Sequence, residues 1–370
     1  MREAIKKRVL AGVIAGLALT LAYVLPALAE GPTFKVDPFW PKPLPNNWIL
    51  GQIAGVAVDA KDHVWIIHRP RSLSEDEKGA SLNPPRSKCC VSAPPVIEFD
   101  QEGNVVQAWG GPGTGFEWPG QEHGIRVDYK DHIWLGGNGK EDGQVLKFTR
   151  DGKFLMQIGH AGPPKGSLDT TQLGLVADFA IDAATNEVYL ADGYGNHRVI
   201  VFDADSGAFK RMWGAYGKPP SDEKLPGYNP DSPQFANPVH CVILAKDGLL
   251  YVCDRVNNRV QVFHHDGSYV KQFVYEKDTH GSGSTWDLAL WPDKAEDYMV
   301  MVDGTNNEMR TIRTSDGAVM STVGRSGRNA GQFHWVHNIA IDSKGTVFTT
   351  EVDNGKRIQR WVPTNGAPQK

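Results

Sequence analysis

Three histidines share one place in a repeating pattern. His123, His240 and His337 each stand just before an alternating apolar run, Ile125-Arg126-Val127-Asp128, Cys241-Val242-Ile243-Leu244 and Ile339-Ala340-Ile341-Asp342, and such alternation reads as a β-strand. Stacked on that run, six copies align, with Ala54, His123, Ala177, His240, Trp286 and His337 at the equivalent position. Histidine is 12 of 370 residues, so three of six equivalent positions, in copies two, four and six, is far from random usage. If the copies surround one axis, near-sixfold symmetry puts these imidazoles about 120° apart at one height. Three imidazoles around a point, with one position left open, form a catalytic zinc arrangement. Three solvated channel histidines are the plainer alternative.

A second set of residues lies at the ends of the following strands. Arg69 and Arg255 would aim two guanidiniums at the channel mouth, suited to a substrate bearing a carboxylate; the plainer role for each is an ion pair with a neighbouring acid. Tyr194, in Asp192-Gly193-Tyr194-Gly195-Asn196, supplies a phenol that a nearby cation would favour as a base. Asp192, Asp254 and Asp303 recur at one strand position and read as turn caps rather than ligands.

The elements that must position these groups are legible from the same alignment. After each first strand comes a second, as in Val64 to Ile67, Val188 to Ala191 and Leu250 to Cys253, then a third, as in Arg198 to Asp203, and in most copies a fourth, as in Phe209 to Gly214. Four short antiparallel strands at a period of roughly 50 residues, with Asp-x-x-Gly turns, mark an all-β, six-bladed β-propeller spanning residues 48–362. The last copy stops after Arg357 to Trp361 and leaves residues 363–370 as a tail. Its missing strand is expected from Asn47 to Gly51, closing the ring and removing exposed strand edges.

Before the ring, residues 1–29 read as a signal peptide: basic Arg2, Lys6, Lys7 and Arg8, an apolar core from Val9 to Leu25, and the small-residue site Ala27-Leu28-Ala29. That implies export, periplasmic or secreted, with no stable membrane insertion after cleavage; an uncleaved anchor is the alternative. Removal takes away four Lys/Arg and one Glu, so the net charge goes from −4 to −7. A mildly acidic surface argues against nucleic acid as a partner. Residues 30–47, rich in proline, read as an extended arm packed along the body.

Copy one carries an insertion, residues 70–95, between its second and third strands. That connection lies on the face where the histidines sit, so it is a lid or pocket wall, or else a plain surface loop. It holds Cys89 and Cys90; the others are Cys241 and Cys253. A vicinal bridge, a bridge between Cys241 and Cys253, and a link from loop to blade are all open, with a buried thiol pair the default for Cys241 and Cys253.

The units Tyr189-Leu190-Ala191-Asp192-Gly193-Tyr194-Gly195-Asn196-His197-Arg198 and Tyr251-Val252-Cys253-Asp254-Arg255-Val256-Asn257-Asn258-Arg259 resemble NHL repeats. Over nearly the whole mature length the chain resembles the peptidyl-α-hydroxyglycine α-amidating lyases. The resemblance implies His123, His240 and His337 as zinc ligands, Tyr194 as the catalytic tyrosine and Arg69 and Arg255 as active-site arginines. It implies cleavage of the C–N bond of a carbinolamide to an amide and glyoxylate. Three positions depart from that family. Trp335 stands for a methionine and narrows the pocket, Gly195 stands for a disulfide cysteine, and Asn338 stands for an aspartate that contributes to a structural calcium (Ca2+) site. The rival functions are a metal-dependent lactone or ester hydrolase and a non-enzymatic NHL-repeat binding module.

Overall fold

The computed structural model describes residues 31–225 and 227–365, so the expected signal peptide and residues 366–370 lie outside the described residues. Within them, six four-stranded antiparallel sheets follow one another along the chain. Blade one, for example, contains Gln52–Val58, Val64–Arg69, Val96–Phe99 and Val105–Trp109. The strand spacing expected from the repeat is the spacing found, and the fold is a six-bladed β-propeller.

The apolar patterning follows from how a blade is covered. Middle strands are sandwiched by neighbouring blades and are buried along their whole length, as in Glu187–Asp192, whereas the outermost strand Phe209–Trp213 is largely open. Sheets covered on both faces need near-continuous apolar runs. Trp134, Phe179 and Leu190 fill one gap between blades, and Trp213, Phe235, Val242 and Phe263 the next.

Aspartates set the turns. Asp59 accepts from the backbone N–H of Lys61 and His63 and from Trp65 Nε1; Asp128 does the same for Lys130, His132 and Trp134. Asp192, Asp254 and Asp303 each hold an arginine of the next strand, at 2.8 Å (Arg198), 2.7 Å (Arg259) and 2.9 Å (Arg310). They also accept from Asn196, Asn257 and Asn306. Buried carboxylates so paired are caps.

The last blade draws its outer strand from the N-terminal segment, but from a different part of it than the sequence suggested. Phe34–Asp37 pairs antiparallel with Ile358–Pro363, so this strand comes from within the stretch read as an arm. Trp48–Ile49 instead pairs in parallel with Val91–Ser92 of the insertion. Both segments are short and alternate; the insertion supplies the second partner that decides between them.

The cysteines correct a further expectation. Cys241 and Cys253 face each other across adjacent strands and are joined as a disulfide, not a thiol pair, and Cys89 is joined to Cys90. The Cys241–Cys253 bridge ties the strand that carries His240 to its neighbour. Replacing both by serine is expected to cost about 2–4 kcal/mol, read as a lower urea midpoint; an unchanged midpoint would show the bridge to be idle.

Candidate active site

Each histidine stands at a β-bulge. In blade four Val239 faces Asp254 and Cys241 faces Cys253, leaving His240 without a partner; in blade six Val336 faces Glu351 and Asn338 faces Thr350, leaving His337. Register shifts at the same place in blades one, two and three, beside Ala54, His123 and Ala177. A bulge re-aims the side chain of its extra residue and leaves that residue's backbone unpaired. Both consequences are used here. His123 Nδ1 lies 2.9 Å from the Ala177 carbonyl, His240 Nδ1 2.5 Å from that of Trp286, and His337 Nδ1 2.9 Å from that of Ala54. The acceptors are the residues that occupy the histidine position in the intervening blades. The alternation of histidine with other residues around the ring is thus an alternation of donor and acceptor.

This fixes the tautomer. With Nδ1–H donated outward, each Nε2 turns its lone pair to the axis. The ring centroids are 4.7 Å apart for His123 and His337, 4.9 Å for His240 and His337, and 5.3 Å for His123 and His240. One nitrogen from each lies within 4.8 Å of the others. Glycine permits the approach: a Cβ on Gly124 would fall 2.7 Å from the Ala177 carbonyl oxygen, the acceptor for His123.

Burial holds all three imidazoles neutral, and the Arg255 guanidinium acts in the same direction on each, joined by Arg69 at His123 and His337. For His337 the pKa is lowered to about 3. His68, whose Nδ1 accepts from Gly51 N–H and whose Nε2 faces the Pro94 carbonyl, is lowered to about 4 by burial. Depressed values mean that the unfolded chain takes up protons the folded one refuses. This stability is full above about pH 6.5 and is lost as pH falls toward the folded values. His68 alone is expected to cost the metal-free protein roughly 3 kcal/mol by pH 4. Thermal melts of metal-free protein between neutral pH and pH 4 measure this, and a flat profile would contradict it.

Tyr194 reaches the same centre from the loop after Asp192. Its hydroxyl lies 3.0 Å from His123 Nε2 and 3.0 Å from His240 Nε2. Gly193 lets the loop in, since a Cβ there would fall 2.1 Å from the Val239 carbonyl oxygen. Arg255 donates to the Tyr194 hydroxyl at 3.2 Å and lies flat over Trp286, 4.3 Å from its ring centroid. Its Nε is buried with no hydrogen-bond partner among the described residues. Arg69 donates to the Glu122 carbonyl, Gln52 Oε1 and Asn138 Oδ1, neutral acceptors all. The ion pairs with acids that would make these arginines purely structural are not seen among the described residues. Burial lowers the pKa of Arg69, while Tyr194 and Glu122 oppose that shift.

The insertion closes one side. Arg71 and Ser72 line a cavity of about 380 Å3 together with Arg69, Gln52, Glu122 and Asp353. Lys356 of blade six holds Glu77 at 2.7 Å, and Arg71 holds Glu122 of blade two at 3.2 Å, so the insertion is tied to the blades on either side of its own. Sequence reading missed Trp286 as the platform under Arg255, although it occupies the ring position between His240 and His337. It also missed that Asn338 Oδ1 lies 2.6 Å from His337 Nδ1.

The donor set fits zinc: three neutral imidazoles, Nδ1 groups fixed by second partners, and Nε2 atoms converging. His123, His240 and His337 would hold it.

The NHL repeat family model matches residues 235–263. Peptidyl-glycine alpha-amidating monooxygenase B of Xenopus laevis is 26% identical over 336 residues, 89% of this chain and 35% of that protein. Peptidyl-alpha-hydroxyglycine alpha-amidating lyase 1 of Drosophila melanogaster is 27% identical over 354 residues, 89% of this chain and 60% of that protein. The chain therefore spans about a third of the length of the first relative. A structure described as streptogramin B lyase superposes with a TM-score of 0.51 at 11% identity, covering 90% of this chain and 98% of that one, a likeness of fold. Among the described residues no helix is long and apolar enough to cross a membrane. The chain carries an NHL repeat on a six-bladed propeller and is similar, over most of its length, to peptidyl-α-hydroxyglycine α-amidating lyases.

Proposed function

We infer that this protein is an exported zinc-dependent lyase that splits the C–N bond of a carbinolamide, such as a peptidyl-α-hydroxyglycine, into an amide and glyoxylate. The observation that carries this reading is the Tyr194 hydroxyl, 3.0 Å from two of the three converging nitrogens and within a hydrogen bond of Arg255. Similarity to proteins named for that reaction supports it. Export draws support from the Cys241–Cys253 disulfide, which suits an oxidising compartment.

Zinc bound by the three imidazoles would supply Lewis-acid polarisation of the substrate oxygen. Tyr194 takes the hydroxyl proton as the C–N bond breaks and the aldehyde C=O forms, and passes that proton to the leaving amide nitrogen. The Arg255 guanidinium supports the phenol oxygen through that transfer. Its remaining N–H groups, with those of Arg69, offer donors to the terminal carboxylate of a small-molecule or peptide substrate. Trp286 and Trp335, with ring centroids 5.5 Å apart, wall the site beside His240 and His337 and shield the transfer from water.

The test is incubation of zinc-loaded protein with an α-hydroxyglycine peptide and assay of glyoxylate and amide in equal amounts above an enzyme-free blank. Equal release is expected. No release, with turnover on a panel of lactones and esters, would favour the hydrolase; no turnover on either would leave a binding module.

A further inference from the structure

One layer further along the axis, the residues do not fit the calcium ion that the family resemblance implies. Asn338 follows the last imidazole, and both ends of its amide are used: Oδ1 on His337 Nδ1, and Nδ2 donating to Asp287 Oδ2 at 2.8 Å. With its oxygen on His337 and its amide nitrogen turned to a carboxylate, Asn338 contributes no oxygen to a cation, where the family's aspartate would.

A cation is nevertheless present in the layer. Arg126, three residues beyond His123, reaches across the channel floor. Its Nη2 holds Asp178 Oδ2 at 2.8 Å, its Nε donates to the Phe179 carbonyl at 3.0 Å, and its Nη1 points to the Val56 carbonyl at 3.5 Å. Blades one, two and three meet on this one guanidinium. Asp178 and Asp287 are both buried; Asp178 also accepts from Val242 N–H, and Asp287 from the N–H of Leu288 and Ile339. Burial pushes both carboxyls up, the charge of Asp178 pushes Asp287 up further, and Arg126 pulls both back. Burial works against the arginine's charge, and Asp178 and Asp287 more than offset it.

We propose that the Arg126 guanidinium is the built-in axial cation of this propeller, a counter-charge held directly by Asp178 and acting through space on Asp287, in the place where a bound ion would otherwise sit, so that the ring needs no calcium. The proposal stands apart from the lyase reading, since its observables are ion binding and stability. A planar fork with donors in several directions suits carbonyls and a carboxylate at different points around an axis. It also forms part of the sequence and cannot be chelated away.

Equilibrium dialysis against radioactive calcium and thermal melts, both on the mature zinc-loaded chain, test it. Calcium is added rather than chelated, because a chelator would strip metal from the imidazoles. Up to about 10 mM calcium, above what weak extracellular sites need, the wild-type chain is expected to bind no stoichiometric ion and to show an unmoved Tm. Arg126→Met should lower Tm by about 5–10 °C without calcium, regain part of it with calcium, and bind one ion per chain. Arg126→Lys, which keeps a charge, should stay indifferent to calcium. If Arg126→Met does not accumulate, the Arg126→Met/Asp178→Asn pair, with cation and partner charge both removed, should fold and ignore calcium. One tightly bound calcium in the wild-type chain with a raised Tm would overturn the proposal, as would a folded Arg126→Met protein whose melt is unchanged and blind to calcium.

Discussion

His240→Ala protein is expected to purify folded, with less than about a tenth of the wild-type zinc, and to lose at least about a thousandfold in lyase turnover. Two imidazoles would remain, and two are not a closed enough set to hold the ion against dilution. The loss is local. His240 is buried against Trp286 and anchored by Nδ1 on that residue's carbonyl, so the substitution opens a small cavity at the channel wall without touching the strand ladder. The Cys241–Cys253 bridge beside it keeps the strand in register. Metal analysis and a steady-state assay on the same preparation read both effects. Zinc and turnover near wild type would remove the three-imidazole centre from the account.

Tyr194→Phe separates the base from the metal. The ring stays, 4.9 Å from His123 and 5.7 Å from His240, and only the hydroxyl goes. Zinc content should be unchanged, because the phenol is not one of the three nitrogens. The expected fall in kcat is about 10²–10⁴, the range for losing a positioned general base, with KM little altered because Arg69 and the insertion are untouched. A tyrosine that merely fills space would leave kcat within a few-fold of wild type. A joint loss of zinc and activity would instead mark Tyr194 as a support for the metal site.

Much of this site was legible because the repeat indexes it. Aligning six apolar runs put His123, His240 and His337 in one column, and the propeller supplied the symmetry that turns a column into a ring. The ends of the second strands gave Arg69, Arg255 and Tyr194 in the same way. What stayed hidden were contacts between columns. The β-bulge was visible as a break in alternation at His123-Gly124-Ile125, but the outward carbonyls that accept from Nδ1 belong to Ala54, Ala177 and Trp286, residues whose side chains say nothing about that role. Reading the same alignment one and three positions further on would have gathered Asp178, Asp287, Asn338 and Arg126 into a layer of their own. The segment that pairs with the last blade was misassigned for a different reason. Trp48–Ile49 and Phe34–Asp37 satisfy the same two-residue period, and only the insertion's short strand distinguishes them.

Zinc K-edge X-ray absorption on the mature protein addresses the central claim most directly, because it reads the ion's own neighbours. The expected result is one zinc per chain with three imidazole nitrogens at about 2.0–2.1 Å and a further light atom from solvent, the imidazole count dropping in His337→Ala. Zinc absent from freshly purified protein and not taken up on loading, or zinc surrounded by carboxylate oxygen or cysteine sulfur, would contradict the account.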